Sequence, residues 1–88
     1  MKYFARVTVT LKEDIRDPQG EAIKKTLHHK GFLFIDDVRV GKYITILLEA
    51  SSKSEALENI KKICSQVLHN PVIENFSIEI SEANDYPS

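Results

Sequence analysis

The chain has 88 residues, of which 42% are hydrophobic and 28% charged, so it holds one domain, and one small enough that pairing with another subunit would help its marginal stability. A net charge of −1 with acids and bases interspersed excludes the basic field that nucleic acid or an anionic membrane surface demands. The lone cysteine, Cys64, excludes an internal disulfide and fits a reducing cytoplasm, and no apolar run approaches the roughly 20 residues of a membrane span.

Met1 to Arg6 passes directly into strand alternation, which predicts no signal peptide. Ala5, Val7, Val9 and Leu11 alternate with Arg6, Thr8, Thr10 and Lys12, the period of a half-buried strand. Asp17 and Pro18 then read as a cap and a first helical position. The helix they open has Ile23 and Leu27 on its inner side and stops at Gly31, a left-handed end. Ile35 to Val40 reads as a second strand and Tyr43 to Ala50 as a third, with Gly41-Lys42 as a two-residue hairpin turn.

Ser52 and Glu55 form a capping box for a second helix. Its apolar stripe runs through Ala56, Leu57, Ile60, Ile63, Cys64, Val67 and Leu68. Pro71 ends it near Asn70, with His69 satisfying carbonyls at its end. Phe76, Ile78 and Ile80 alternate as a fourth strand. The domain therefore spans residues 1–81, and residues 82–88 form a polar, frayed tail.

The order strand, helix, strand, strand, helix, strand predicts an α+β fold, the ferredoxin-like β-α-β-β-α-β sandwich. It has a four-stranded antiparallel sheet with two helices on one face. If Val7, Val9, Ile44, Ile46, Phe76 and Ile78 face the helices, the open face carries Phe4, Arg6, Thr8, Ile35, Tyr43, Leu47 and Ile73. That face is too apolar for water alone, and Phe4, Ile35, Tyr43, Leu47 and Ile73 are its candidates for self-association.

Three junctions stand out: Asp17-Pro18-Gln19-Gly20, Val38-Arg39-Val40-Gly41-Lys42 and Asn70-Pro71-Val72-Ile73-Glu74. None carries a nucleophile with its base, a metal cluster or a phosphate loop. Asp17 and Pro18 have a purely structural reading as a helix start. Gly20, inside the first turn, costs roughly 0.5–1 kcal/mol against alanine, so something must approach closely there, another backbone or a ligand. On the second reading, a bulky residue at position 20 spares the fold and weakens assembly. Arg39 and Lys42 read either as ordinary hairpin charges or as cations reaching a partner. His28-His29 lacks the companions a metal needs, and Cys64 sits on the apolar stripe as a core thiol. A metallochaperone would need paired cysteines, an RNA-recognition domain an aromatic and basic central strand, and an acylphosphatase an Arg-bearing glycine loop after the first strand. All three signatures are missing.

Together the junctions resemble the PurS family, the small subunit of bacterial and archaeal phosphoribosylformylglycinamidine synthase. The resemblance runs from about Tyr3 to Ile80. It is most specific at Asp17-Pro18-Gln19-Gly20-Glu21-Ala22-Ile23, Val38-Arg39-Val40-Gly41-Lys42 and Cys64 to Glu74. It implies a cytoplasmic, non-catalytic subunit that forms a homodimer, or a tetramer by a second pairing. That subunit bridges a glutaminase subunit and a large synthetase subunit while ammonia passes between them. It implies no catalytic, cofactor or metal residue on this chain, with ATP and Mg on the large subunit. Asp17, Gln19, Gly20, Arg39, Lys42, Asn70, Pro71 and Glu74 are the candidate partner contacts. A second reading is an ACT-type regulatory domain holding a metabolite between subunits. A stand-alone enzyme is a third.

Overall fold

Alternation at period two places one strand, β1 (Lys2–Leu11), at the centre of the molecule. The structure is a computed structural model and describes residues 1–68 and 70–83. β1 pairs antiparallel with β2 (Gly41–Glu49) on one side and β3 (Glu74–Glu82) on the other. The order is β2-β1-β3. One face of this sheet carries Ala5, Val7 and Val9 from β1, Ile44, Ile46 and Leu48 from β2, and Phe76, Ile78 and Ile80 from β3. A strand turns successive side chains to opposite faces, so the register Ala5↔Ile46 and Ala5↔Ile80 sets all nine on the same side.

The helix α2 (Lys53–Ile63) covers part of that face. Ser52 caps it by accepting from the Glu55 N–H at 3.1 Å, as expected of the capping box. The carboxylate of Glu55 turns instead to the Ser51 hydroxyl. Ala56, Ile60 and Cys64 are buried, four residues apart on one side of the helix. The helix then widens into a π turn, Cys64–Leu68. The extra residue in that turn rotates Val67 outward, so it is exposed and leaves the stripe on which the sequence places it. Burial pushes the Cys64 thiol pKa up, which suits a core thiol.

α2 lies over β1 and β3. Ile44, Ile46 and Leu48 on β2 are consequently only half-buried.

The other helix, α1 (Pro18–His29), does not share that face. Its ends are as expected: Asp17 is the cap, Pro18 opens the first turn, and Gly31 takes φ 98°. The Gly31 N–H donates to the His28 carbonyl and the Phe32 N–H to the Leu27 carbonyl, the paired bonds of a Schellman stop. Yet its one buried residue is Gly20, and Ile23 is 43% exposed. The expectation of two helices on one face of the sheet is corrected accordingly.

The second expected strand is corrected as well. Among the described residues the sheet has three strands, and residues 35–40 pair with none. Gly41 and Lys42 are no hairpin turn. They open β2 opposite Thr10 and Val9. Gly41 is needed for close approach, since a Cβ there would lie 2.8 Å from the Val9 carbonyl oxygen. Glu82 belongs to β3, and the rest of the expected tail from residue 84, like His69, lies outside the described residues.

The result is a long molecule, 51 × 31 × 15 Å, with a radius of gyration of 16.6 Å. A compact domain of this length would have a radius of about 12 Å. Ile60→Ala should lower stability by about 2–5 kcal/mol, because it empties the contact between α2 and the buried side of β1. Urea unfolding at fixed protein concentration measures it.

Candidate functional site

All three junctions meet at one end of the sheet. The register brings Gly41 opposite Thr10 and Glu74 opposite Leu11, so β1 ends where β2 and β3 begin. A cleft of about 160 Å³ opens there, lined by Leu11, Asp17, Gln19, Val40, Lys42 and Glu74 among others. It is smaller than the roughly 300–1,000 Å³ of pockets that enclose a metabolite.

Asp17 organises this end. One carboxylate oxygen accepts from the Gly20 N–H at 3.0 Å and the other from the Val40 N–H at 2.7 Å. The first bond caps α1, and the second ties the helix start to the residue before β2. Asp17 is only 4% exposed. These donors, Gly20 first and Val40 second, hold its carboxyl below the usual carboxylate range, with the Arg39 charge adding to them. Just before it, Arg16 forks onto Glu21 at 3.0–3.1 Å on the exposed side of the first turn.

Arg39 joins the second junction to the end of β1, its Nη2 donating to the Lys12 carbonyl at 3.0 Å. The Lys12 N–H in turn donates to the Ile73 carbonyl of the third junction at 2.8 Å. That junction is a closed turn. The Asn70 N–H donates to the Glu74 carboxylate at 2.7 Å, and the Asn70 side chain accepts from the Val72 N–H at 3.0 Å. The Asn70 carbonyl accepts from the Glu74 N–H at 2.8 Å.

These placements divide the candidate contacts. Asp17 and Gly20 are buried and shape the junction from inside. Gln19, Arg39, Lys42, Asn70 and Pro71 are exposed, and Glu74 is half-buried. The close approach at Gly20 comes from the chain's own backbone, since a Cβ there would run into the Val38 carbonyl oxygen. The expectation that a bulky residue at position 20 spares the fold is therefore corrected.

The open face of the sheet differs in part from expectation. Tyr43 and Leu47 are exposed on it. Phe4 is fully buried, with the Arg6 guanidinium 4.6 Å over its ring. Ile35 and Ile73 lie outside the strands, in the segment after α1 and the turn before β3, so neither belongs to the face. Sequence reasoning missed Phe32, Leu33 and Phe34 after the Gly31 stop. Leu33 and Phe34 are 73% and 76% exposed. Three successive apolar residues where a turn favours polar ones were the available signal. The described residues hold no cluster of three metal-ligating side chains.

Residues 4–82 match the family model described as PurS: Phosphoribosylformylglycinamidine (FGAM) synthase. The chain belongs to the PurS family. A PurS subunit from Synechocystis is 39% identical over 79 residues, 90% of this chain and 79% of the relative. The Bacillus subtilis PurS structure superposes with a TM-score of 0.82 at 38% identity, covering 91% of this chain and 99% of that one. A chain of the PurLQS structure from Thermotoga maritima gives 0.84 at 32% identity, covering 92% and 99%. As a PurS protein the chain is a subunit of an enzyme of purine biosynthesis, FGAM synthase. None of its described helices is long and apolar enough to cross a membrane.

Two outcomes follow from the junction. Asp17 has a native pKa below its ordinary value of about 3.9. Its ionised form adds stability above that value, and the contribution disappears as pH falls through it toward the native pKa. Acid titration of unfolding should show a steeper loss below about pH 4 in the parent protein than in Asp17→Asn. Gly20→Ala should cost about 1–3 kcal/mol by forcing Val38 away from α1, which thermal or urea unfolding measures.

Proposed function

We propose that this chain is a non-catalytic assembly subunit that works as a dimer in the cytoplasm. In this reading it holds a glutaminase subunit and an ATP-using synthetase subunit together while ammonia passes between them. The observation that carries the reading is a chain built to be incomplete by itself. α1 leaves its apolar positions, Ile23 and Leu27, off its own sheet, and the core face beside β2 stays partly open. A second copy supplies the cover. The four-stranded ferredoxin-like sandwich is read as a property of that dimer.

The rest of the reading follows from the junction. Its cleft is too small for a nucleotide, so ATP and Mg are assigned to the synthetase subunit and no cofactor to this chain. The rim formed by Gln19, Lys42, Asn70, Pro71 and Glu74 is the candidate docking surface, with Arg39 fastening it from below. Its shape is set by backbone bonds to buried or fixed groups, so it presents a rigid edge to a neighbour. Ammonia takes up a proton in open water, which makes a sealed route between two active sites the physical need that a bridging subunit serves. The similarity to a chain of the Thermotoga PurLQS structure supports assembly with further subunits. The ACT-type reading is not favoured, as the similar proteins are PurS subunits.

Reconstitution tests this. Glutamine-dependent amidine formation by the other two subunits should fall when this chain is omitted, and the ammonia-dependent rate should not. Gln19→Glu and Glu74→Gln change the charge of the rim while keeping an acceptor at each position. They should weaken docking roughly two- to fivefold with unchanged circular dichroism. An equal loss with free ammonia would remove the coupling role.

A further inference from the structure

β3 lies on the far side of β1 from β2, away from where the dimer reading seats the other copy. Its nine residues pair with β1 from Tyr3↔Glu82 to Leu11↔Glu74 without a bulge. Among the described residues no strand lies along its other side. Edge strands are ordinarily blunted by shortness, by proline, by lysine or by a bulge. β3 is long and has none of these.

One hydrogen bond fixes which backbone groups of β3 face outward. The Lys12 N–H donates to the Ile73 carbonyl at 2.8 Å, one pair beyond Leu11↔Glu74. Bonded pairs in an antiparallel ladder recur at every second residue. Asn75, Ser77, Glu79 and Ser81 therefore turn their N–H and C=O toward β1. Ile78 and Ile80 turn theirs the other way, to the outer side. The side chains of Ile78 and Ile80 point to the core face, where both stay half-buried. At the near end the Glu74 N–H is already held by the Asn70 carbonyl at 2.8 Å. The stretch open to a newcomer is thus the one around Ile78 and Ile80.

We propose that this edge docks an extended segment of a partner subunit in which apolar side chains alternate with a lysine or arginine. The proposal rests on the assembly reading above and deepens it. A subunit that joins two others needs two surfaces, and the junction rim is one of them. The segment adds antiparallel to β3, and its backbone bonds to Ile78 and Ile80. Its apolar residues stand opposite those two and widen the core face. Its cation stands opposite Glu79, a position without ladder bonds to the newcomer, where side chains across the gap come closest. Charge identifies the occupant. β3 carries Glu74, Glu79 and Glu82 and no cation. The Arg6 guanidinium is 4.0 Å from the Glu79 carboxylate, and the Glu79 side chain is 79% exposed, so it is open to a second cation. A β3 strand from another copy would set three carboxylates beside three, which a ladder disfavours. Glu74 and Glu82 fall on the core side at the two ends of the strand, which keeps the apolar part of the segment short.

The test uses the full chain with and without the glutaminase and synthetase subunits, and reads hydrogen exchange at single amides. In the chain by itself the Ser77 and Glu79 amides, bonded to β1, should exchange slowly and those of Ile78 and Ile80 fast. Assembly should slow Ile78 and Ile80 about tenfold or more. Glu79→Lys should weaken assembly about tenfold and Glu79→Gln about two- to threefold, with unchanged circular dichroism. A complex that forms while Ile78 and Ile80 keep their free rates would overturn the edge proposal and leave the assembly reading standing. Slow exchange at both amides in the chain by itself would overturn it too, because a second copy would then hold the edge. Protection that Glu79→Lys leaves intact would overturn the cationic segment. A parent chain that binds neither subunit would end the assembly reading, and the edge proposal with it.

Discussion

One carboxylate shared between two backbone N–H groups governs this molecule. Asp17 takes the Gly20 N–H with one oxygen and the Val40 N–H with the other. The first bond decides where α1 begins. The second decides how residues 35–40 approach the sheet. Because the carboxylate is buried among these donors, both bonds form in a place where a lost partner is costly. Gly20 is the companion constraint. With no side chain at that position, the Val38 carbonyl can lie against the first turn of the helix.

Around that point the rest is a chain of short links. Arg39 reaches the end of β1 through Lys12, and Lys12 reaches the turn before β3 through Ile73. Asn70 and Glu74 close that turn on themselves. Three segments distant in sequence thus share one rigid end, and charged or amide side chains, Gln19, Lys42 and Glu74, line the cleft at its surface. In the reading proposed above, no reaction is asked of these groups. A fixed shape with a polar rim is what a docking edge requires, since little conformational freedom remains to be lost when a neighbour binds.

Much of this was readable in the residues. The alternation of Ala5, Val7 and Val9, the cap at Asp17, the stop at Gly31 and the capping residue Ser52 all lie where local chemistry puts them. What failed was everything that depended on a choice between partners. Ile35 to Val40 has strand character, but periodicity cannot say which strand would lie beside it, and among the described residues none does. Gly41 looked like a turn glycine, although its bare Cα serves the close passage of Val9. Ile23 and Leu27 mark a buried side of α1, and nothing in their spacing names the surface that buries it. The junctions were visible as junctions. Their convergence was not, because it follows from the pairing of Thr10 with Gly41 and Leu11 with Glu74, contacts between residues far apart in the chain.

The π turn at Cys64–Leu68 has its own consequence for the length of chain this helix can accommodate. Such a turn spends five residues where an α turn spends four, so it stores one spare residue between a buried anchor, Cys64, and the path into β3. Losing that residue would tighten the coil to ordinary pitch while Ile60 and Cys64 keep their seats. A one-residue change of length in this turn can therefore be taken up as a change of pitch, without moving the buried anchors Ile60 and Cys64.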